Sequence, residues 1–295
     1  MQSVATWLVA RPHNAVLALA GTLLLPVLHL LSGAIIVLLV LQRGPQLAAV
    51  VAAVAGLLLT AVAFVVGAPA GQVAFSIALT LVPSIMLGAL LLASRSLTLT
   101  LQVSAILAAV AMLVFQLAVD DLAAFWQPVM VEWQQLAREL GLQAQADFIA
   151  QQPVLAAKLL SLAAIVWRWL LYTVYLLLGY RLYQSLPIQT GNFGRFCDLD
   201  FGRVIALAMA ITSVIAWASG SDMLQNVAVV LFAVFGVQGL AIVHWMHNER
   251  QMPMFAVYTV YVLVLVLQVL TIFALAVLGY MDAWFSYRRR AAAQQ

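Results

Sequence analysis

An arginine stands in the middle of an apolar run. Arg168 lies in LLSLAAIVWRWLLYTVYLLLGY, residues 159–180, a stretch about as long as the ~20 residues that cross a bilayer core. A guanidinium at that depth is costly unless it meets water or a polar partner. On a helix, Tyr172, Tyr175 and Gly179 share its face, at +4, +7 and +11. An arginine beside two phenols can hold the anionic group of a ligand or lipid. It can equally join a structural network of carbonyls and hydroxyls, or snorkel from a tilted helix. Carboxylates able to neutralise it are few, because Asp120, Asp121 and Asp222 all fall at expected span ends.

A second polar group is Gln238, Gly239, His244, His247 and Glu249. Gln238 and His244 are added to Arg168, Tyr172 and Tyr175 as candidate ligand-binding residues. His244 and His247 can meet on one helix face, but the spacing is not HExxH, and an interfacial polar cap explains it as well. The loop GNFGRFCDLDFGR, residues 191–203, interleaves aromatic and charged side chains. Phe193, Arg195 and Phe196 there, with Trp126 and Trp133, are candidates for a surface that meets a partner or lipid headgroups. No cofactor or metal is expected: Cys197 has no second cysteine, and no haem, zinc or iron–sulfur spacing occurs. No nucleotide fingerprint or serine-nucleophile elbow is present, so no catalytic residue is assigned.

The elements that must hold these residues are membrane helices. The 295 residues are 66% hydrophobic and 8% charged, against about 25% charged in soluble domains. Apolar runs of span length recur along the chain and do not alternate, which gives an all-α polytopic bundle and excludes a β-barrel. Residues 14–41 would rise about 42 Å as one helix, more than a bilayer core. Pro26, His29, Ser32 and Gly33 interrupt them, so a broken first span is expected. Spans follow at 46–66, 72–93, 97–119, 154–183, 203–219, 223–244 and 254–281, the last with a possible break around Gln268. The total is about eight or nine crossings. Arg43, Arg95, Arg181, Arg195, Arg203 and Arg250 fit one side of the membrane by the positive-inside rule. Thr190–Gly191–Asn192 is an expected turn, and Arg288–Arg290 a basic stop. No small-residue cleavage pattern follows Arg11, so the spans themselves are expected to direct insertion.

One membrane domain, 1–295, is expected, with a single insertion outside the core. Residues 120–153 hold five of the ten acidic residues. Leu122, Phe125, Val129, Trp133, Leu136 and Leu140 form the stripe of an amphipathic helix there. The net charge of +3 marks loops and does not point to nucleic acid.

VQGLAIVHWMHNERQMP at 237–253, an apolar run, then LGYMDAWFSYRRR at 278–290 resembles a family of bacterial inner-membrane proteins named after the YybS protein. The motif positions are Gly191–Phe193, Gly239–His244 with Arg250, and Asp282–Trp284 with Arg288. That family is distantly similar to the substrate-binding membrane subunits of energy-coupling factor vitamin transporters. The resemblance implies a multi-pass protein of the bacterial inner membrane, cradling a small anionic or amphiphilic ligand and docking on a membrane-protein partner. A non-transporting scaffold, with 120–153 or 184–203 as its contact surface, is the alternative. A lipid-modifying enzyme is the least supported reading, since the spans offer no nucleophile or acid–base pair.

Overall fold

A computed structural model describes residues 2–25, 28–189 and 191–288. Pro26 at the expected break, Thr190 at the expected turn, and Arg289 and Arg290 of the basic stop lie outside the described residues.

Among the described residues every regular element is helical. In order they are α1 (Gln2–Ala10), α2 (Pro12–Leu24), α3 (His29–Arg43), α4 (Pro45–Val65), α5 (Ala70–Ser94), α6 (Leu97–Ala118), α7 (Leu122–Glu139), α8 (Gln143–Gln151), α9 (Pro153–Gln184), α10 (Gly202–Ser219), α11 (Asp222–Asn248), α12 (Met254–Val266) and α13 (Gln268–Phe285), with a 3₁₀ turn at Phe196–Asp198. Among the described residues, seven of these are long and apolar enough to cross a membrane: α4, α5, α6, α9, α10, α11 and α13. α3 and α12 are apolar but shorter. The polytopic helical bundle is therefore present, and both expected breaks are too. α2 ends at Leu24 and α3 starts at His29, while α12 stops at Val266 and α13 starts at Gln268.

Local chemistry sets the boundaries. Pro12 and Pro45 open α2 and α4 at positions whose N–H would have no helical acceptor. Asp121 caps α7 by accepting from the Ala124 amide at 3.0 Å, and Ser221 caps α11 by accepting from Leu224 at 3.4 Å. Gly220 ends α10 in the left-handed region, where a glycine carries no Cβ penalty. The stretch 120–153 is two helices, α7 and α8, because Gly141 turns the chain at φ 74°.

The chain forms two compact units: Met1–Leu101 with Leu170–Phe196, and Gln102–Trp169 with Cys197–Gln295. In the first, α3 is the core helix. Every residue from Ser32 to Leu41 is buried, as expected of a helix apolar on all sides. Its neighbours approach closely through glycines: a Cβ on Gly33 would lie 2.3 Å from the Tyr175 ring, and one on Gly179 would lie 2.7 Å from the Ala34 carbonyl oxygen. α5 packs on α3 and contains Pro83. In the second unit α11 is central, with 67% of its apolar window buried. It crosses α13 backbone to backbone. A Cβ on Gly239 would sit 1.9 Å from the Leu275 carbonyl oxygen, and one on Gly279 would sit 2.1 Å from that of Phe235. Small residues allow this contact, and dispersion replaces the missing hydrophobic drive in lipid.

Candidate functional site

α9 runs for 32 residues, about 48 Å, which exceeds a ~30 Å core. Two charges mark where it meets polar surroundings. Lys158 pairs with Asp222, at the start of α11. Arg181 lies in the last turn. Arg168 is about 15 Å along the helix from Lys158 and about 20 Å from Arg181, so it lies near mid-membrane depth.

Its direction is equally defined. Leu159, Ala163, Trp167, Val174 and Leu178 make the exposed stripe of α9. Arg168 lies away from that stripe, on the side of buried Ser161, Tyr175 and Gly179, and is half-buried. Among the described residues it makes no hydrogen bond or ion pair. The carboxylates nearest the membrane have other uses: Asp222 with Lys158, Asp121 as a cap, and Asp282 with Arg288.

The neighbouring α9 residues are largely engaged. Trp169 donates to Ser104 Oγ at 3.0 Å, and Ser161 receives the Trp126 indole at 2.8 Å. The Tyr172 hydroxyl donates to the Leu79 carbonyl at 2.6 Å. That carbonyl is four residues before Pro83, which has no N–H to give it. Tyr172 thus supplies the donor that the proline withholds. Tyr175 is 1% exposed and packs on Gly33. Neither phenol is an idle pocket wall, and Arg168 alone of the three has no described partner.

The other expected residues separate into distinct clusters. Gln238 is 0% exposed. Its side-chain oxygen accepts from the Phe201 amide at 2.8 Å and its nitrogen donates to Asp282 at 3.2 Å. Arg288 donates to Asp282 through Nε (3.0 Å) and Nη2 (2.7 Å), and to the carbonyls of Cys197 and Leu199 at 2.7 Å each. Gln102 donates to the carbonyls of Asp200 and Phe201 at 3.1 Å each. Three side chains from different segments therefore bond four carbonyls and one amide of the Cys197–Phe201 loop, which helps irregular backbone to be buried there. Asp282 was not singled out from sequence as a site residue, although the D-x-W-x-x-x-R motif contains it. Its position at a span end resembles any interfacial carboxylate, and only its 3% exposure distinguishes it.

His244 and His247 each have a hydrogen-bond partner from a later segment. His244 Nε2 bonds the Tyr261 hydroxyl at 2.9 Å, while His247 Nδ1 bonds the Met252 carbonyl at 3.0 Å. No cluster of three or more metal-ligating side chains occurs among the described residues. Phe193 is 2% exposed, stacked near Tyr180 and Tyr183 with the Arg95 guanidinium 5.4 Å from its ring centre. The Tyr180 hydroxyl accepts from the Phe193 amide at 2.8 Å and fixes the loop from below. Arg195 is exposed and Phe196 half-buried. Trp126 is half-buried on α9, whereas Trp133 is 56% exposed.

A family model described as Predicted membrane protein (DUF2232) matches residues 14–283. The chain belongs to that family. The span matched to DUF2232 takes in Arg168, the GxF loop, Gln238 and Asp282, and ends before Arg288. Membership accords with an integral membrane protein built from several apolar helices. No curated protein and no solved structure matches the chain.

Proposed function

We propose that the chain is a membrane-embedded binding subunit that recognises the anionic group of a small or amphiphilic ligand through Arg168, in the manner of the substrate-binding subunits of energy-coupling factor vitamin transporters, and that it works with a membrane-protein partner in a bacterial inner membrane. The observation that carries this reading is the state of Arg168. It lies near mid-membrane depth, off the exposed stripe of α9, with no hydrogen-bond acceptor among the described residues. A buried or half-buried guanidinium needs an acceptor, and a bound carboxylate or phosphate supplies one bidentately. Trp169, the next residue on α9, is held by its own hydrogen bond to Ser104.

The test is native mass spectrometry of the full chain released from a neutral detergent, with Arg168→Gln and Arg168→Lys beside the parent. Anionic adducts are expected on the parent, depleted about tenfold or more in Arg168→Gln, since a charge-assisted bidentate contact exceeds ~1.4 kcal/mol. Arg168→Lys retains part of the occupancy, because the charge survives and the fork does not. Equal adduct occupancy in a folded Arg168→Gln protein would sink the proposal.

A further inference from the structure

The helix α7 carries more apolar surface than its own chain covers. Apart from Val131, which is exposed on the opposite side, its large apolar side chains form one broad arc, and the structure divides that arc in two. Met130 is buried, with Trp126 beside it, against Ala156, Ala157 and Leu160 of α9, and Ala137 on the same side of the helix is buried too. The adjacent half remains open: Phe125 is 52%, Trp133 56%, Leu136 53% and Leu140 65% exposed. The stripe expected from sequence is mainly this open half. A helix that spends only half of its apolar arc on its own protein leaves large side chains needing a second cover.

The topology says what lies within reach. α6 has 22 residues, about 33 Å, enough to cross the core. It ends at Ala118, and α7 begins at Leu122. The link of residues 119–121 spans at most about 10 Å. At the other end α8 stops at Gln151 and the long α9 starts at Pro153. Both ends of the α7–α8 hairpin are thus tied to span helices, and Lys158–Asp222 places a polar rim next to it. The nearest apolar medium is the bilayer surface itself. Charge then narrows the kind of surface. Residues 120–153 contain five carboxylates (Asp120, Asp121, Glu132, Glu139, Asp147) against Arg138. Anionic headgroups would repel this segment, while zwitterionic ones would not.

We propose that the open half of α7, through Trp133, Leu136 and Leu140, lies in the headgroup layer of a zwitterionic phospholipid surface, making the α7–α8 hairpin an interfacial paddle. This stands independently of the Arg168 reading. Interfacial tryptophan and leucine on one face, with carboxylates at its edge and beyond, is the arrangement such a paddle needs.

The test places an environment-sensitive NBD label on single cysteines introduced as Trp133→Cys, Leu136→Cys and, on the polar side, Gln135→Cys. All are exposed positions, and buried Cys197 stays in place with the parent chain as the labelling blank. The full chain is reconstituted in phosphatidylcholine liposomes containing a nitroxide-headgroup phosphatidylcholine. Labels at 133 and 136 are expected to emit to the blue of the label at 135 and to be quenched by the nitroxide roughly threefold more. Replacing half the lipid with phosphatidylglycerol leaves the quenching at 133 unchanged or lowers it. Equal quenching at all three sites, with free access to iodide, overturns the proposal. So does protection at 133 that varies with protein-to-lipid ratio without nitroxide quenching, which would mean that another copy covers the face. Stronger quenching in phosphatidylglycerol overturns the assignment to a zwitterionic surface.

Discussion

The bond from Tyr172 to the Leu79 carbonyl permits a double-mutant test of the argument that a proline inside a membrane helix needs a substitute donor. In Tyr172→Phe the ring stays and the hydroxyl goes. The Leu79 carbonyl, which Pro83 already deprives of its helical donor, then faces apolar surroundings. Leaving such a group unsatisfied costs about 1–3 kcal/mol in proteins, and interhelical bonds within membranes average about 0.6 kcal/mol with a maximum near 1.7. At 2.6 Å the bond is at the short end for a neutral hydroxyl, and Leu79 is half-buried. We therefore expect Tyr172→Phe to lose about 1 kcal/mol, roughly fivefold in the unfolding equilibrium. Pro83→Ala restores an N–H four residues after Leu79, so the same Tyr172→Phe change in that background is expected to cost under about 0.3 kcal/mol. The assay is equilibrium unfolding in mixed micelles with rising dodecyl sulfate, followed by near-UV circular dichroism for all four proteins of the cycle. Equal costs of Tyr172→Phe in the two backgrounds would refute the reasoning, because the tyrosine would then serve something other than the proline-freed carbonyl.

Further outcomes follow from the packing and the buried ion pair. Arg288→Ala leaves Asp282 charged and buried, at 3% exposure, and is expected to destabilise by about 3–5 kcal/mol; Arg288→Met with Asp282→Leu recovers much of that loss in the same unfolding assay, and a double variant no better than the single would contradict it. Gly239→Ala brings a Cβ to 1.9 Å from the Leu275 carbonyl oxygen, so the α11–α13 crossing must open, at about 1–3 kcal/mol or more. Gly21→Ala, with no heavy atom within 4 Å of the new Cβ, is expected to be neutral or to gain up to about 1 kcal/mol, which makes it the control for helix propensity. Trp126→Phe removes the indole donor to Ser161 and is expected to cost about 0.5–1.5 kcal/mol, read as faster proteolysis in the α7–α8 hairpin.

Much of the architecture is legible in the chain because its signals are local. Hydropathy summed over ~20 residues finds the spans, and prolines, glycines and polar interruptions mark their ends. The gap between Leu24 and His29 and the stop at Val266 are therefore visible before any tertiary contact is known. Arg168 was also visible, since one charge in an apolar run needs no partner to be noticed, and the lack of a carboxylate at its depth could be anticipated from where the aspartates fall. α7 was legible in part. Its periodicity revealed an apolar arc but could not tell which half would meet α9, because Trp126 and Met130 lie on the same broad arc as Trp133 and Leu136.

Pairings across long separations were not legible. That Arg288 closes on Asp282 and the Cys197 and Leu199 carbonyls, that Gln238 bonds the Phe201 amide, and that Tyr172 serves a carbonyl freed by Pro83 all depend on which helices lie side by side. In a chain this apolar, composition is nearly uniform along every span, so it does not single out neighbours. By itself the sequence determined that this is a helical membrane protein, where its spans break, and that one arginine lies deep among them. Only the tertiary structure decided which polar groups are consumed in holding the fold, because hydrogen bonds are short and directional while hydrophobicity is neither. On α9 that division shows as Trp169 and Tyr172 bonded to other helices, while Arg168 and the buried Thr173 hydroxyl have no partner among the described residues.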